Sequence, residues 1–202
     1  MRTELDAAVE VETRSASRLV PGATFPDYEL TGHDRNRYRL SDVQAVDPMV
    51  LVLSRGHYCP KDFQQHKLLV EFYPQIAVAY TRIVTVSTDN IYEANEMRDA
   101  LGAQWLFLTD PGRKVQKDLG IKEYTDPTHD AMIPHTLVLE PGLKIYRVYN
   151  GYWFWGRPST AELWQDLRAV SRKIRPDWDL TDPALQVDWD AGDKTKHYPY
   201  VR

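Results

Sequence analysis

Apolar positions along this chain fall into short unbroken runs that alternate with segments of helical period. Met49-Val50-Leu51-Val52-Leu53 is a continuous apolar run of the kind shown by a strand buried on both faces. Beyond the next polar stretch, Phe63, His66, Leu69, Val70 and Tyr73 recur at helical spacing, and Pro74 is expected to stop that helix. Arg82 to Ser87 is rich in β-branched residues and predicts a second central strand. Ile91, Ala94, Met97 and Leu101 share one helical face, closed by Gly102. Trp105 to Leu108 predicts a third strand, and Asp110-Pro111 a cap and first-turn proline for a short helix ending near Gly120. Ile133 to Leu139 and Lys144 to Tyr149 then predict a hairpin about Glu140-Pro141-Gly142-Leu143, a type II turn sequence. In the final helix, Ser159 and Glu162 form a capping-box pattern, Leu163, Leu167, Val170 and Ile174 make one apolar stripe, and Pro176 is the stop. Ahead of all this, Tyr28 to Leu30 and Arg37 to Leu40 flank a polar turn and predict a leading β-hairpin. Strand and helix alternate, so the expected class is α/β, a layered architecture with some parallel pairing.

With 202 residues, 43% apolar and 27% charged, the chain suits one globular domain with extensions. The expected division is an N-terminal arm over 1–19, a domain over 20–175 and a C-terminal tail over 176–202. A net charge of −4 and a pI near 5.9 give no electrostatic reason to expect nucleic acid or an anionic membrane as partner. No apolar run approaches the roughly 18 residues of a membrane span, and Met1-Arg2-Thr3-Glu4-Leu5-Asp6 lacks a hydrophobic signal core, so a cytoplasmic protein is expected. A lone cysteine cannot build a disulfide framework, in keeping with a reducing compartment. The histidines, His33, His57, His66, His129, His135 and His197, show no zinc spacing, and the acids of the tail lack calcium-loop spacing. No metal and no cofactor are expected.

Candidate chemistry concentrates where the apolar strand hands over to the helix, at Ser54-Arg55-Gly56-His57-Tyr58-Cys59-Pro60-Lys61-Asp62. Cys59 is the only cysteine, and at such a junction it sits among the unpaired first amides of a helix, whose dipole favours thiolate. Pro60 fits the first helical position. Arg55, His57 and Lys61 add positive charge, conditions under which a cysteine pKa falls from about 8.5 into the range of roughly 3.5–7.5. The alternative for such a residue is simple packing. Further on, the aromatic run Tyr152-Trp153-Phe154-Trp155 is expected to fill the gap between hairpin and final helix, with a substrate pocket or a dimer face as alternatives.

Arg55-Gly56-His57-Tyr58-Cys59-Pro60 resembles the Arg-Gly-x-Trp-Cys-Pro signature of thioredoxin-fold proteins in the AhpC/TSA, or redoxin, branch that includes peroxiredoxins. The resemblance covers roughly residues 20 to 175 and implies a thioredoxin-like central mixed sheet flanked by helices, with the N-terminal hairpin and C-terminal tail added. It implies Cys59 as the attacking residue and Pro134 facing it; beside these, Arg55 and His57 are expected to complete the catalytic set by lowering the thiol pKa or polarising the peroxide, and Tyr58, His135 and, from the aromatic run, Trp153 are expected to join Pro134 in binding substrate. Pro134 lies where the family places a cis-proline facing the cysteine. The implied activity is a one-cysteine thiol peroxidase, in which a Cys59 sulfenic acid formed by peroxide is recycled by an external thiol. Three departures stand against it. Asp62 occupies the second cysteine position of a Cys-x-x-Cys motif; Val52 and Gly56 replace the Pro and Thr that peroxiredoxins usually carry; no arginine is evident near Pro134. The alternatives are a non-catalytic binding module of the same fold and single-thiol exchange with a disulfide substrate. A homodimer is the expected assembly.

Overall fold

The computed structural model of the protein describes residues 19–175, 179, 181–193 and 195. The expected N-terminal arm lies almost wholly outside the described residues, as does part of the expected tail. In chain order the elements are β1 (Glu29–Gly32), β2 (Arg37–Arg39), α1 (Leu40–Gln44), β3 (Met49–Ser54), α2 (Pro60–Val78), β4 (Arg82–Ser87), α3 (Ile91–Leu101), β5 (Leu106–Thr109), α4 (Lys114–Leu119), β6 (His135–Glu140), β7 (Lys144–Asn150), α5 (Thr160–Ile174) and α6 (Pro183–Asp190).

The strands make one mixed sheet in the order β2-β1-β5-β4-β3-β6-β7. β3 runs parallel to β4, and β4 parallel to β5, because the crossovers through α2 and α3 return the chain to the same end. β6 is antiparallel to β3, and Leu53 lies opposite His135. That register brings the residue before β6, Pro134, to the end of β3 from which the cysteine turn leaves. Both faces of the sheet are covered, which explains the unbroken apolar run in β3. Met49, Leu51 and Leu53 pack with Phe25, Val115 and Leu119 on one side, while Val50 and Val52 pack with Leu69, Phe72, Leu163 and Val170 on the other.

Four expectations need correction. Pro74 does not end its helix: α2 runs on to Val78 with Pro74 inside it, since its apolar side, Leu69, Phe72 and Ile76, is buried against the sheet on both sides of the proline and outweighs one missing hydrogen bond. Pro111 is not in a helical first turn, because α4 starts at Lys114 after Arg113 at φ 57. Asp110 still caps it from a distance, accepting the Lys114 and Val115 amides at 2.9 and 2.8 Å. Leu40 leaves the hairpin to begin α1, where its side chain is fully buried. Finally, no peptide bond among the described residues is cis, so Pro134 is trans. By contrast, the capping box at Ser159 and Glu162 and the left-handed Gly102 closing α3 form as the sequence predicts.

Candidate active site

The turn between β3 and α2 is shaped by Gly56. Its φ is 125°, a region closed to most side chains, and a Cβ there would run into the Asp89 carboxylate. The chain then folds back so that the Cys59 amide donates to the Gly56 carbonyl at 3.1 Å. Cys59 is the N-cap of α2, and Pro60 is its first residue. The thiol sits among the first amides of the helix, and those of Asp62 and Lys61 act to lower its pKa. It is 2% exposed, yet its surroundings are polar.

Asp62 also brings a charged side chain to this turn. Its side chain is 0% exposed. One carboxylate oxygen accepts the Arg55 backbone N–H at 3.0 Å, and the other accepts Nη1 of Arg157. The same Nη1 donates to Oε1 of Gln65 at 2.6 Å, and Gln65 in turn donates to Thr136 at 2.7 Å. Arg157 is 3% exposed, and its Nε and Nη2 have no partner. The arginine that sequence reasoning did not find near Pro134 is therefore supplied from beyond β7. The loop that delivers it starts at Gly151, whose amide donates to the Pro134 carbonyl at 2.7 Å. A Cβ at Gly151 would lie 3.0 Å from Cγ of Arg157 and 3.3 Å from that carbonyl. Glycine at this point is what lets Arg157 pass beneath the loop.

Two of the three cations expected to lower the thiol pKa, Arg55 and His57, are matched by carboxylates. Nη2 of Arg55 contacts Glu123 at 2.8 Å and Asp126 at 3.0 Å. His57 Nδ1 lies 2.9 Å from Asp89, whose two oxygens also accept the His57 amide. Burial pulls His57 down, but Asp89, with Glu93 and Glu96 behind it, outweighs burial and holds the imidazole above its ordinary range. The Cys59 thiol itself moves the other way from expectation. Burial pushes it above its usual value, the Asp62 charge adds to that, and the Asp62 and Lys61 amides only partly offset it. The corrected picture is a thiol favoured in its protonated form, chiefly by burial and then by the Asp62 charge, while Arg55 and His57 are each shared with carboxylates.

The remaining expected residues divide. Tyr58 stacks on His129 with centroids 3.6 Å apart and planes 7° off parallel, beside Arg55. His135 is buried, its Nδ1 2.8 Å from the Ile133 carbonyl, and burial lowers its pKa. The aromatic run does not fill a core gap. Trp153 and Trp155 are 59% and 80% exposed, on a rim tied down by Tyr152 Oη at 3.0 Å from Thr125. Sequence reasoning missed Asp89, Glu123, His129 and Arg157. The only available signal was the pair of glycines, Gly151 and Gly156, bracketing the aromatic run ahead of Arg157. His57, Asp89 and Glu93 place donor atoms within 4.8 Å of one another. Hydrogen bonds account for the group, because Glu93 caps the Asn90 amide at 2.9 Å and Asp89 holds His57.

A family model described as the AhpC/TSA family matches residues 21–148, more than half of the chain. The chain belongs to the AhpC/TSA family. Among solved structures it is similar to the peroxidoxin BcpB of Mycobacterium tuberculosis, with a TM-score of 0.64 and 21% identity over 77% of this chain and 97% of that one. It is also similar to Prx3 of Vibrio vulnificus, solved in its reduced form with hydrogen peroxide, with a TM-score of 0.63 and 19% identity over 75% and 98%. A third is peroxiredoxin Q of Xanthomonas campestris, at 0.60 and 15% over 79% and 99%. These likenesses establish the thioredoxin-like peroxiredoxin fold. No curated protein matches the chain. Within the AhpC/TSA fold, its departures have structural reasons: Gly56 stands where only glycine clears Asp89, and Asp62 is locked into a buried ion pair. No helix among the described residues is long and apolar enough to cross a membrane.

Proposed function

We propose that this AhpC/TSA protein is a one-cysteine thiol peroxidase. The observation that carries the reading is the seat of Cys59, at the N-cap of α2 among the first amides of the helix, of which those of Asp62 and Lys61 act to lower its pKa. These donors favour the thiolate form that attacks, while Asp62 opposes it. Sulfur attacks the terminal peroxide oxygen, the O–O bond breaks, an alcohol or water leaves, and Cys59 becomes a sulfenic acid. An external thiol condenses with it, releasing water, and a second thiol frees the cysteine, because the chain has no other cysteine to do so. Arg55 positions the turn and Tyr58 through its contacts with Glu123 and Asp126. Pro134, His135 and Trp153 would wall and rim the entry for substrate. The reading extends to a cytoplasmic setting, where external thiols abound, and to a homodimer across the exposed Tyr152–Trp155 rim, which sedimentation of the intact protein tests.

To test the chemistry, peroxide-treated protein is trapped with a sulfenic-acid reagent and compared with Cys59→Ser. Label that depends on Cys59 at low peroxide is expected, and its absence rejects the reading. A second reading, a non-catalytic module of the same fold, is favoured by the burial and upward shift of the thiol. It predicts Cys59 alkylation with no rate advantage over an ordinary thiol at any pH and no sulfenic acid.

A further inference from the structure

Cys59 is 2% exposed, so whatever reacts with it must first be let in. The turn that carries it is gripped from outside by one loop. Between α4 and β6 the chain leaves and returns through a closed neck: Lys122 bridges Met132, the Glu123 amide donates to the Ala131 carbonyl at 2.8 Å, and the Ile133 amide donates to the Ile121 carbonyl at 2.6 Å. A loop tied at its base in this way keeps its shape while its tip faces solvent. Arg113 fastens it further by donating to the His129 and Asp130 carbonyls at 3.2 and 3.4 Å.

Asp126 orders the tip. Its carboxylate accepts the Thr128 and His129 amides at 2.9 and 3.1 Å and lies 2.9 Å from Nδ1 of His129. That arrangement lays the imidazole flat on the ring of Tyr58, the residue just before Cys59. The same carboxylate takes Nη2 of Arg55. Arg55 and Tyr58, on either side of Gly56, are therefore held by one short stretch of loop. Because the Cys59 amide is bonded to the Gly56 carbonyl, Tyr58 and Cys59 belong to a single hydrogen-bonded turn.

Two features make this grip releasable. His129 works from the surface, its side chain 42% exposed. Closure also leaves Tyr58 Oη and Arg55 Nε buried with no hydrogen-bond partner. Parting the rings returns these atoms to water and offsets some of the contact that is lost. The loop is the fixed part, and Tyr58 is the part that moves.

We propose that His129 is the latch of the cysteine turn: while its ring lies on Tyr58 the sulfur is shut in, and the parting of that stack is the step that admits a reactant to Cys59. The role concerns access, so it applies to a peroxide, a disulfide or an alkylating reagent alike and goes beyond the peroxidase reading.

Labelling of the native protein with iodoacetamide, followed by intact mass, measures how often the turn opens, because a buried thiol reacts from the open form. Wild type, His129→Ala, His129→Phe and Ser159→Ala are compared at one pH. The loss of one aromatic contact shifts an equilibrium by about two- to tenfold. His129→Ala is expected to label faster by that factor, while His129→Phe, which keeps a ring against Tyr58, stays near wild type. Ser159→Ala weakens the fold at the cap of α5 instead and should label at the wild-type rate. Equal rates in His129→Ala and wild type overturn the latch. So does a gain in Ser159→Ala as large as in His129→Ala, since general loosening would then suffice, and so does a His129→Phe protein as fast as His129→Ala. Should His129→Ala fail to fold, His129→Asn, which keeps a donor for Asp126 and lacks the ring, carries the same comparison. Absence of sulfenic acid alongside the expected labelling pattern rejects the peroxidase reading alone, and sulfenic acid formation with labelling indifferent to His129 rejects the latch alone.

Discussion

Replacing Arg157 by Gln tests whether the ion pair beneath the cysteine organises the site. Both partners are essentially without solvent, at 3% and 0% exposure, so water cannot take over when one is removed. Breaking a buried pair by removing one partner costs about 3–5 kcal/mol, because the other is left charged and buried. An exposed pair would cost ~1 kcal/mol or less, so burial is what sets the size of the loss. Removing the carboxylate instead leaves a buried guanidinium whose Nε and Nη2 already have no partner, so Asp62→Asn should cost a comparable amount. Urea unfolding of wild type, Arg157→Gln, Asp62→Asn and the double variant at pH 7 measures each loss. The double variant should be more stable than the sum of the two losses predicts, by about 1–3 kcal/mol. A single-variant cost under about 1 kcal/mol, or strict additivity, would refute the reasoning.

Further expectations concern the frame around the thiol. Putting threonine, the usual peroxiredoxin residue, at Gly56 should destabilise the fold by ~2 kcal/mol or more instead of improving the site, since φ is 125° and Asp89 fills the space; denaturant midpoints for Gly56→Thr check it. His66 is fully buried and tied at 2.7 Å to the Asp62 carbonyl and at 3.0 Å to Thr85. Burial lowers its pKa, so the unfolded chain takes up a proton below about pH 6.5 that the folded chain refuses. Its contribution is whole above that pH and lost below it, at up to about 1.4 kcal/mol per unit, and stability curves from pH 7 to 5 should be flatter in His66→Gln. At the other end of the site, Ser159→Ala removes the acceptor for the Glu162 amide. It should cost about 1 kcal/mol by thermal or urea unfolding, without moving the alkylation pH profile of Cys59.

Local patterns in the sequence were enough to identify this as an α/β chain with its cysteine at a strand-to-helix junction. The β3 run, the Ile91–Leu101 face, the Ser159 box and the Gly102 stop are each written within a few residues, because hydrogen bonding along a helix or strand couples neighbours. The Arg55–Pro60 stretch likewise carried the family. What it could not carry was the ionisation of the sulfur. Arg55, His57 and Lys61 are visible beside Cys59 in the chain, whereas Glu123, Asp126 and Asp89, which neutralise two of them, come from other elements brought close only on folding. Arg157 illustrates the same limit. It is remote in sequence from Asp62, and it reaches that carboxylate only because β7 returns beside β6 and the glycine at 151 leaves room for its side chain. Short-range pattern thus determined where the chemistry sits, and long-range contact decided the charge it works against, since electrostatic energy depends on distance through space and on burial rather than on separation along the chain.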